Sequence, residues 1–158
     1  MTKILFVCLG NICRSPMAEF MFKDMIHKMG LDHKYYIESR ATSYEETGNP
    51  VYEPARKKLK SVGINCEGKT AKRLEYDDYQ NYDLIIGMEK SNIININKII
   101  RDDYLHKVFR LLDFTGNPRD ISDPWYTRNF DKCYDDILEG LNGLLKYLGE
   151  KWKIIFIK

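Results

Sequence analysis

The sequence predicts an α/β fold: a single three-layer domain over residues 1–158, with a four-stranded parallel sheet flanked by helices. Three observations predict it. Ile4-Leu5-Phe6-Val7 is a continuous apolar run, too short for a helix and closed by a glycine-containing loop, as strands buried on both faces are. Residues 82–88, centred on Leu84-Ile85-Ile86, repeat that pattern. Segments with apolar residues at helical spacing alternate with these runs, which is the signature of βαβ units.

The elements follow in order. After the first strand, Ser15-Pro16 reads as a helix start, with Ser as the N-cap and Pro at the first helical position, where its missing N–H costs nothing. Met17, Phe20, Met21, Met25 and Met29 continue at helical spacing until Gly30 closes the helix. Residues 36–41 fit a second strand, followed by the turn-rich run Glu45-Glu46-Thr47-Gly48-Asn49-Pro50. Residues 54–62 read as a basic helix stopped by Gly63. Ser91 is expected to cap the helix after the third strand, and residues 108–112 form the fourth strand. From Asp131, the spacing of Cys133, Ile137, Leu141, Leu144, Leu145 and Leu148 predicts a long last helix. The apolar tail, residues 152–158, could add an edge strand, cover a patch or meet a partner.

Composition narrows the class. With 158 residues, 44% hydrophobic and 30% charged, the chain is an ordinary globular sequence with one core. A net charge of +2 gives no reason to expect a nucleic-acid surface, though a local basic pocket needs only one or two cations. No run reaches the roughly 18 to 20 apolar residues of a membrane span. The apolar run after Met1-Thr2-Lys3 is too short for a signal peptide. Four cysteines without a secretory signal point to a reducing compartment, with the cytoplasm as the default.

In parallel sheets, ligands bind beyond the carboxyl ends of the strands, and Cys8 sits at such an end. Five residues separate Cys8 from Arg14, and a helix starts directly afterwards. A short loop curling into a helix start can aim backbone N–H groups at an anion, and a guanidinium can grip two phosphate oxygens. Gly10 is expected to supply backbone conformations closed to other residues. Asn11 is expected to hold the loop in shape. These donors would stabilise Cys8 as a thiolate nucleophile, and Ser15 could donate to its sulfur. Taken alone, a cysteine at the end of a buried strand is a small core residue. The arginine at the sixth position after it and the Ser-Pro helix start change that reading.

Cys8-Leu9-Gly10-Asn11-Ile12-Cys13-Arg14-Ser15 resembles the signature of low-molecular-weight protein tyrosine phosphatases. Ser39-Arg40-Ala41-Thr42, Gly87-Met88-Glu89-Lys90-Ser91-Asn92 and Asp123-Pro124-Trp125-Tyr126 resemble further motifs of that family, in its order, over nearly the whole chain. The resemblance implies hydrolysis of phosphotyrosine through a phosphocysteine on Cys8. Loop residues Leu9, Gly10, Asn11, Ile12, Cys13 and Ser15 would bind phosphate with Arg14, and Ser39 would support the loop. Asp123 would be the general acid, with Asp113 and Asp120 read instead as turn or capping residues. Tyr44, Trp125 and Tyr126 would wall the substrate. It further implies a reversible Cys8–Cys13 disulfide.

Cys66 and Cys133 read as structural. The expected partner is a phosphotyrosine protein, the product is inorganic phosphate, and neither metal nor cofactor is expected. The related protein-arginine phosphatases usually carry Thr at the position of Ile12, so Ile12 favours phosphotyrosine. An arsenate reductase would need relay cysteines near the end of the third strand, where Ile86-Gly87-Met88-Glu89 has none. A phosphotyrosine-binding module without turnover is the remaining alternative. Three positions depart from the family pattern: Arg40 stands where a small residue is usual, Lys69 lies in a stretch where many members carry His, and Glu89 replaces Asp, so that a longer arm must reach the loop.

Overall fold

The computed structural model describes residues 1–151, and the tail at 152–158 lies outside the described residues. The sheet is formed by β1 (Thr2–Cys8), β2 (Tyr35–Ala41), β3 (Leu84–Gly87) and β4 (Val108–Arg110). Their order is β2-β1-β3-β4, with every pairing parallel. The register aligns Cys8 with Ala41, Val7 with Gly87, and Gly87 with Arg110, so all four strands end along one edge.

Alternation along β1 builds two cores. Ile4, Phe6 and Cys8 face α1 (Arg14–Lys28), α2 (Glu53–Ser61) and α6 (Phe130–Tyr147), packing with Met17, Phe22, Leu59 and Leu141. Leu5 and Val7 face the other way, onto Tyr79 of α3 (Asp78–Asn81) and Ile96 and Ile100 of α4 (Lys90–Ile100). A strand covered on both faces has no reason to alternate polar with apolar residues, which is why β1 reads as a continuous apolar run.

Several boundaries differ from expectation, each for a local reason. The first helix begins two residues early, at Arg14 with Cys13 as its N-cap, and among the described residues no side chain caps it. Ser15 is therefore not the cap; its hydroxyl is turned onto the Cys8 sulfur instead. Ser91 does not cap α4 either. Glu89 does, through reciprocal bonds with Asn92, and the Ser91 hydroxyl donates to the Glu89 carboxylate at 2.9 Å. The fourth strand stops at Arg110, and Leu111–Phe114 turns into a 3₁₀ segment.

That segment lies close against α6, and two glycines permit the approach. A Cβ on Gly140 would lie 2.4 Å from Leu111 Cγ, and one on Gly143 would lie 2.4 Å from the carbonyl oxygen of Phe114. The second obstacle is backbone, which cannot rotate away. Gly143→Ala is expected to destabilise the chain by about 2–3 kcal/mol. This would be read as a lower urea midpoint at unchanged slope; an unchanged midpoint would refute the close approach.

Candidate active site

The loop after β1 wraps around the sulfur of Cys8. The backbone N–H groups of Asn11 and Ser15 donate to Sγ at 3.3 and 3.4 Å, and Ser15 Oγ lies 3.0 Å from it. The N–H groups of Gly10, Ile12 and Cys13 donate to no acceptor among the described residues. These residues line a cavity of about 140 Å³ together with Cys8, Leu9 and Arg14. A cluster of unpaired donors at a helix N-terminus is a site for an anion. The left-handed residue that bends the loop is Asn11, at φ 59°, and not Gly10. Asn tolerates that region because its short amide bonds locally. Here Lys72 N–H donates to Asn11 Oδ1 at 3.2 Å, while Nδ2 donates to Ser15 Oγ at 2.7 Å and to Ser39 Oγ at 2.9 Å.

Arg14 is only 2% exposed, an exceptional burial for a guanidinium. Its Nη1 donates to the carboxylate of Glu89 and, at 2.7 Å, to the carbonyl of Ile121. Nη2 lies 3.3 Å from Asp123 Oδ2. The longer arm of Glu89 thus reaches the loop. Burial opposes the charge on Arg14, but Cys8, Asp123 and Glu89 outweigh it and push its pKa above the usual value.

Asp123 precedes the short helix α5 (Pro124–Thr127) and accepts from the N–H of Trp125 at 3.0 Å. It lines the same cavity as Cys8. Asp113 and Asp120 are occupied elsewhere: both bind Arg110, and Asp120 also accepts from Lys90 N–H at 2.9 Å.

The walls differ in part from expectation. Trp125 lines the cavity and is backed by Tyr52, their ring centroids 4.8 Å apart. Tyr126 lines a neighbouring cavity of about 350 Å³, which shares Leu9, Arg14 and Asp123 with the first. Tyr44 is not among the lining residues; its ring is exposed, with the Arg73 guanidinium 4.4 Å from its centroid. Its neighbours Ser43, Glu45 and Glu46 line the cavity instead. A larger cleft of about 530 Å³ lies beside α2, with none of the loop residues in its lining.

Ser39 and Arg40 point to opposite sides of β2, as strand alternation requires. Ser39 reaches Asn11, whereas Arg40 turns towards Asp78 and Tyr82, clear of the loop. Burial, with Cys8 and Asp123 nearby, pushes the Cys13 thiol up, so it stays protonated. Burial likewise pushes Cys133 up to about 12. Among the described residues no three His, Cys, Asp or Glu side chains gather to hold a metal ion. No helix there is long and apolar enough to cross a membrane.

A cysteine sulfur under an anion nest, beside a buried arginine and a carboxylate, is the arrangement that cysteine-type hydrolysis of a phosphate monoester requires. The family model for low molecular weight phosphotyrosine protein phosphatase matches residues 3–154. The low molecular weight protein-tyrosine-phosphatase YfkJ of Bacillus subtilis is 37% identical over 147 residues, covering 92% of this chain and 94% of that one. PtpA of Staphylococcus aureus is 36% identical over 149 residues, covering 94% of each. The crystal structure of YfkJ superposes with a TM-score of 0.91 at 36% identity, covering 94% of this chain and 95% of that one. That of DARP, a Drosophila arginine phosphatase, gives 0.87 at 25% identity over 95% and 99%. The chain belongs to the low molecular weight phosphotyrosine protein phosphatase family.

Proposed function

We propose that this chain hydrolyses phosphotyrosine in proteins with Cys8 as nucleophile, Arg14 and the loop N–H groups as the phosphate cradle, and Asp123 as general acid and base. The observation that carries this reading is the convergence of Cys8, Arg14 and Asp123 on one cavity. The Cys8 thiolate attacks phosphorus in line with the ester oxygen. The P–O bond breaks as Asp123 gives its proton to the departing phenolate oxygen. Water then attacks the phosphocysteine and loses its proton to Asp123, and Cys8 departs as thiolate, leaving inorganic phosphate. Ser15, 3.0 Å from the sulfur, supports that departure. Trp125, Leu9 and Ile12 supply apolar surface for the phenyl ring, with Tyr126 at the rim.

Stopped-flow hydrolysis of p-nitrophenyl phosphate is the direct test. A burst of about one equivalent of phenol per site, unchanged by a chelator, is expected for a covalent intermediate. Absence of turnover would favour a binding module.

A second reading, phosphoarginine hydrolysis, draws support from the likeness to DARP and from Glu45 and Glu46 beside the cavity, which suit a cationic leaving group. Ile12 favours tyrosine. Phosphotyrosine is expected to be hydrolysed well above phosphoarginine at equal concentration, and the reverse order would overturn the assignment.

The location proposed is the cytoplasm, where four free thiols remain reduced. When hydrogen peroxide oxidises Cys8 to its sulfenic acid, attack by Cys13 would give the Cys8–Cys13 disulfide and release water.

A further inference from the structure

The network under the loop ends on a charged pair that the reaction itself does not use. Glu19, on α1, is 1% exposed. Its carboxylate accepts from Ser39 Oγ at 2.5 Å and from Lys23 Nζ at 2.6 Å, and lies 3.2 Å from Lys69 Nζ. Lys69 is itself nearly buried and also donates to the carbonyl of Ser39 at 3.1 Å. Lys23, by contrast, is about 42% exposed. Burial pushes the Glu19 carboxyl up, but Lys69, with Lys23 and Ser39, outweighs it and holds the carboxyl below the ordinary glutamate range. Glu19 also acts on the Tyr36 phenol and the Cys66 thiol, raising both.

An ionised carboxylate only accepts, so Ser39 must give its single proton to Glu19. Ser39 Oγ is then an acceptor for Asn11. The amide of Asn11 is anchored at its oxygen by Lys72 N–H, and its two amide protons go to Ser39 and Ser15. With Ser15 Oγ already receiving one proton, its own has two acceptors in reach, the Cys8 sulfur at 3.0 Å and the Arg40 carbonyl at 3.4 Å, and the sulfur is the nearer. We propose that the Glu19–Lys69 ion pair is a positioning device for Cys8: it turns the Ser39 hydroxyl so that Ser39 accepts from Asn11, and with the Lys72 N–H on the Asn11 oxygen it sets the hydrogen bonds that reach Ser15. The consequence rests on the phosphatase reading, because a donor on the sulfur matters most when the thiolate attacks and when it leaves.

Lys69→Met keeps the length of the stem and removes the charge. Among the described residues the buried carboxylate then has half-exposed Lys23 as its one cation, and either outcome acts against the thiolate: a less compensated anion stays nearby, or Glu19 gains a proton and turns Ser39 round. The test is the pH dependence of inactivation by iodoacetate, with protection by inorganic phosphate assigning it to Cys8. In Lys69→Met the midpoint is expected to rise by about one pH unit. Turnover of p-nitrophenyl phosphate should fall roughly tenfold. KM should stay within about threefold, since the cradle is untouched. Lys69→Arg should restore both the midpoint and the rate. In Glu19→Gln, the two lysines draw the amide oxygen and leave its NH₂ to face Ser39, so turnover should fall comparably.

A wild-type midpoint in folded Lys69→Met would overturn the proposal, and so would wild-type turnover in Glu19→Gln. Failure of Lys69→Arg to rescue would count against it as well. Inactivation requires no turnover, so it tests the pair even if the native chain shows no burst. A missing burst would instead overturn the phosphatase reading.

Discussion

Cys8→Ser removes turnover of aryl phosphates, by about four orders of magnitude or more, while inorganic phosphate still binds. The two halves of this expectation have separate physical origins. Attack needs a sulfur that can exist as a thiolate, and a serine hydroxyl is too weak an acid to supply an equivalent nucleophile at neutral pH. Binding depends on groups the substitution leaves in place: Arg14, held by Glu89 and Ile121, and the N–H groups of Gly10, Ile12 and Cys13, unpaired among the described residues. Trp125 lines the cavity, so its fluorescence should still respond to phosphate. Cys13 and Cys133 do not substitute for the missing thiol, because burial keeps both protonated. A serine variant turning over at the native rate would exclude Cys8 as the nucleophile.

Asp123→Ala produces the second large effect, and its size should depend on the leaving group. A departing phenolate is a strong base unless protonated as the bond breaks, whereas p-nitrophenolate leaves readily without help. The loss in kcat is expected to be about 10²- to 10⁴-fold for phenyl phosphate and smaller for p-nitrophenyl phosphate. A plot of log kcat against leaving-group pKa should steepen in the variant. Since Asp123 also lies 3.3 Å from Arg14 Nη2, its loss will disturb the cradle somewhat. That effect should appear equally in all esters and leave the slope unchanged. Parallel plots for the native chain and the variant would exclude Asp123 as the acid.

Legibility followed the range of the information. The order of strands and helices was readable because periodicity is local: β1 announces itself in four residues, and α6 in the spacing of Cys133, Ile137, Leu141 and Leu144. The loop was readable for the same reason, since Cys8, Arg14 and Ser15 are near neighbours in sequence. Ser15 shows the limit of local reading. Its type and its place before Pro16 suit an N-cap, but the loop closes two residues earlier and gives its hydroxyl to the sulfur. Gly10 was the expected bend, yet Asn11 takes the left-handed backbone because its amide finds partners at both ends.

Glu19 passed unnoticed as one polar residue within a helix. Its spacing of four from Ser15, which places both on one side of α1, was the available signal. Gly140 and Gly143, which helix propensity alone disfavours, are the points where Leu111 and Phe114 approach the last helix.

By itself, the sequence determined the sheet, the order of its connections and the loop with its sulfur and guanidinium, because hydrophobic period and short-range spacing encode them. Asp123 and Glu89 were named through the family resemblance, but only the tertiary structure decided how distant residues meet around the loop. Glu89, Ile121 and Asp123 meet Arg14, and Lys69 meets Glu19, because parallel strands end along one edge and bring the loops that follow them together. It also decided that Glu45 and Glu46, rather than Tyr44, line the cavity, since the direction of a side chain in a loop follows from packing and not from residue type.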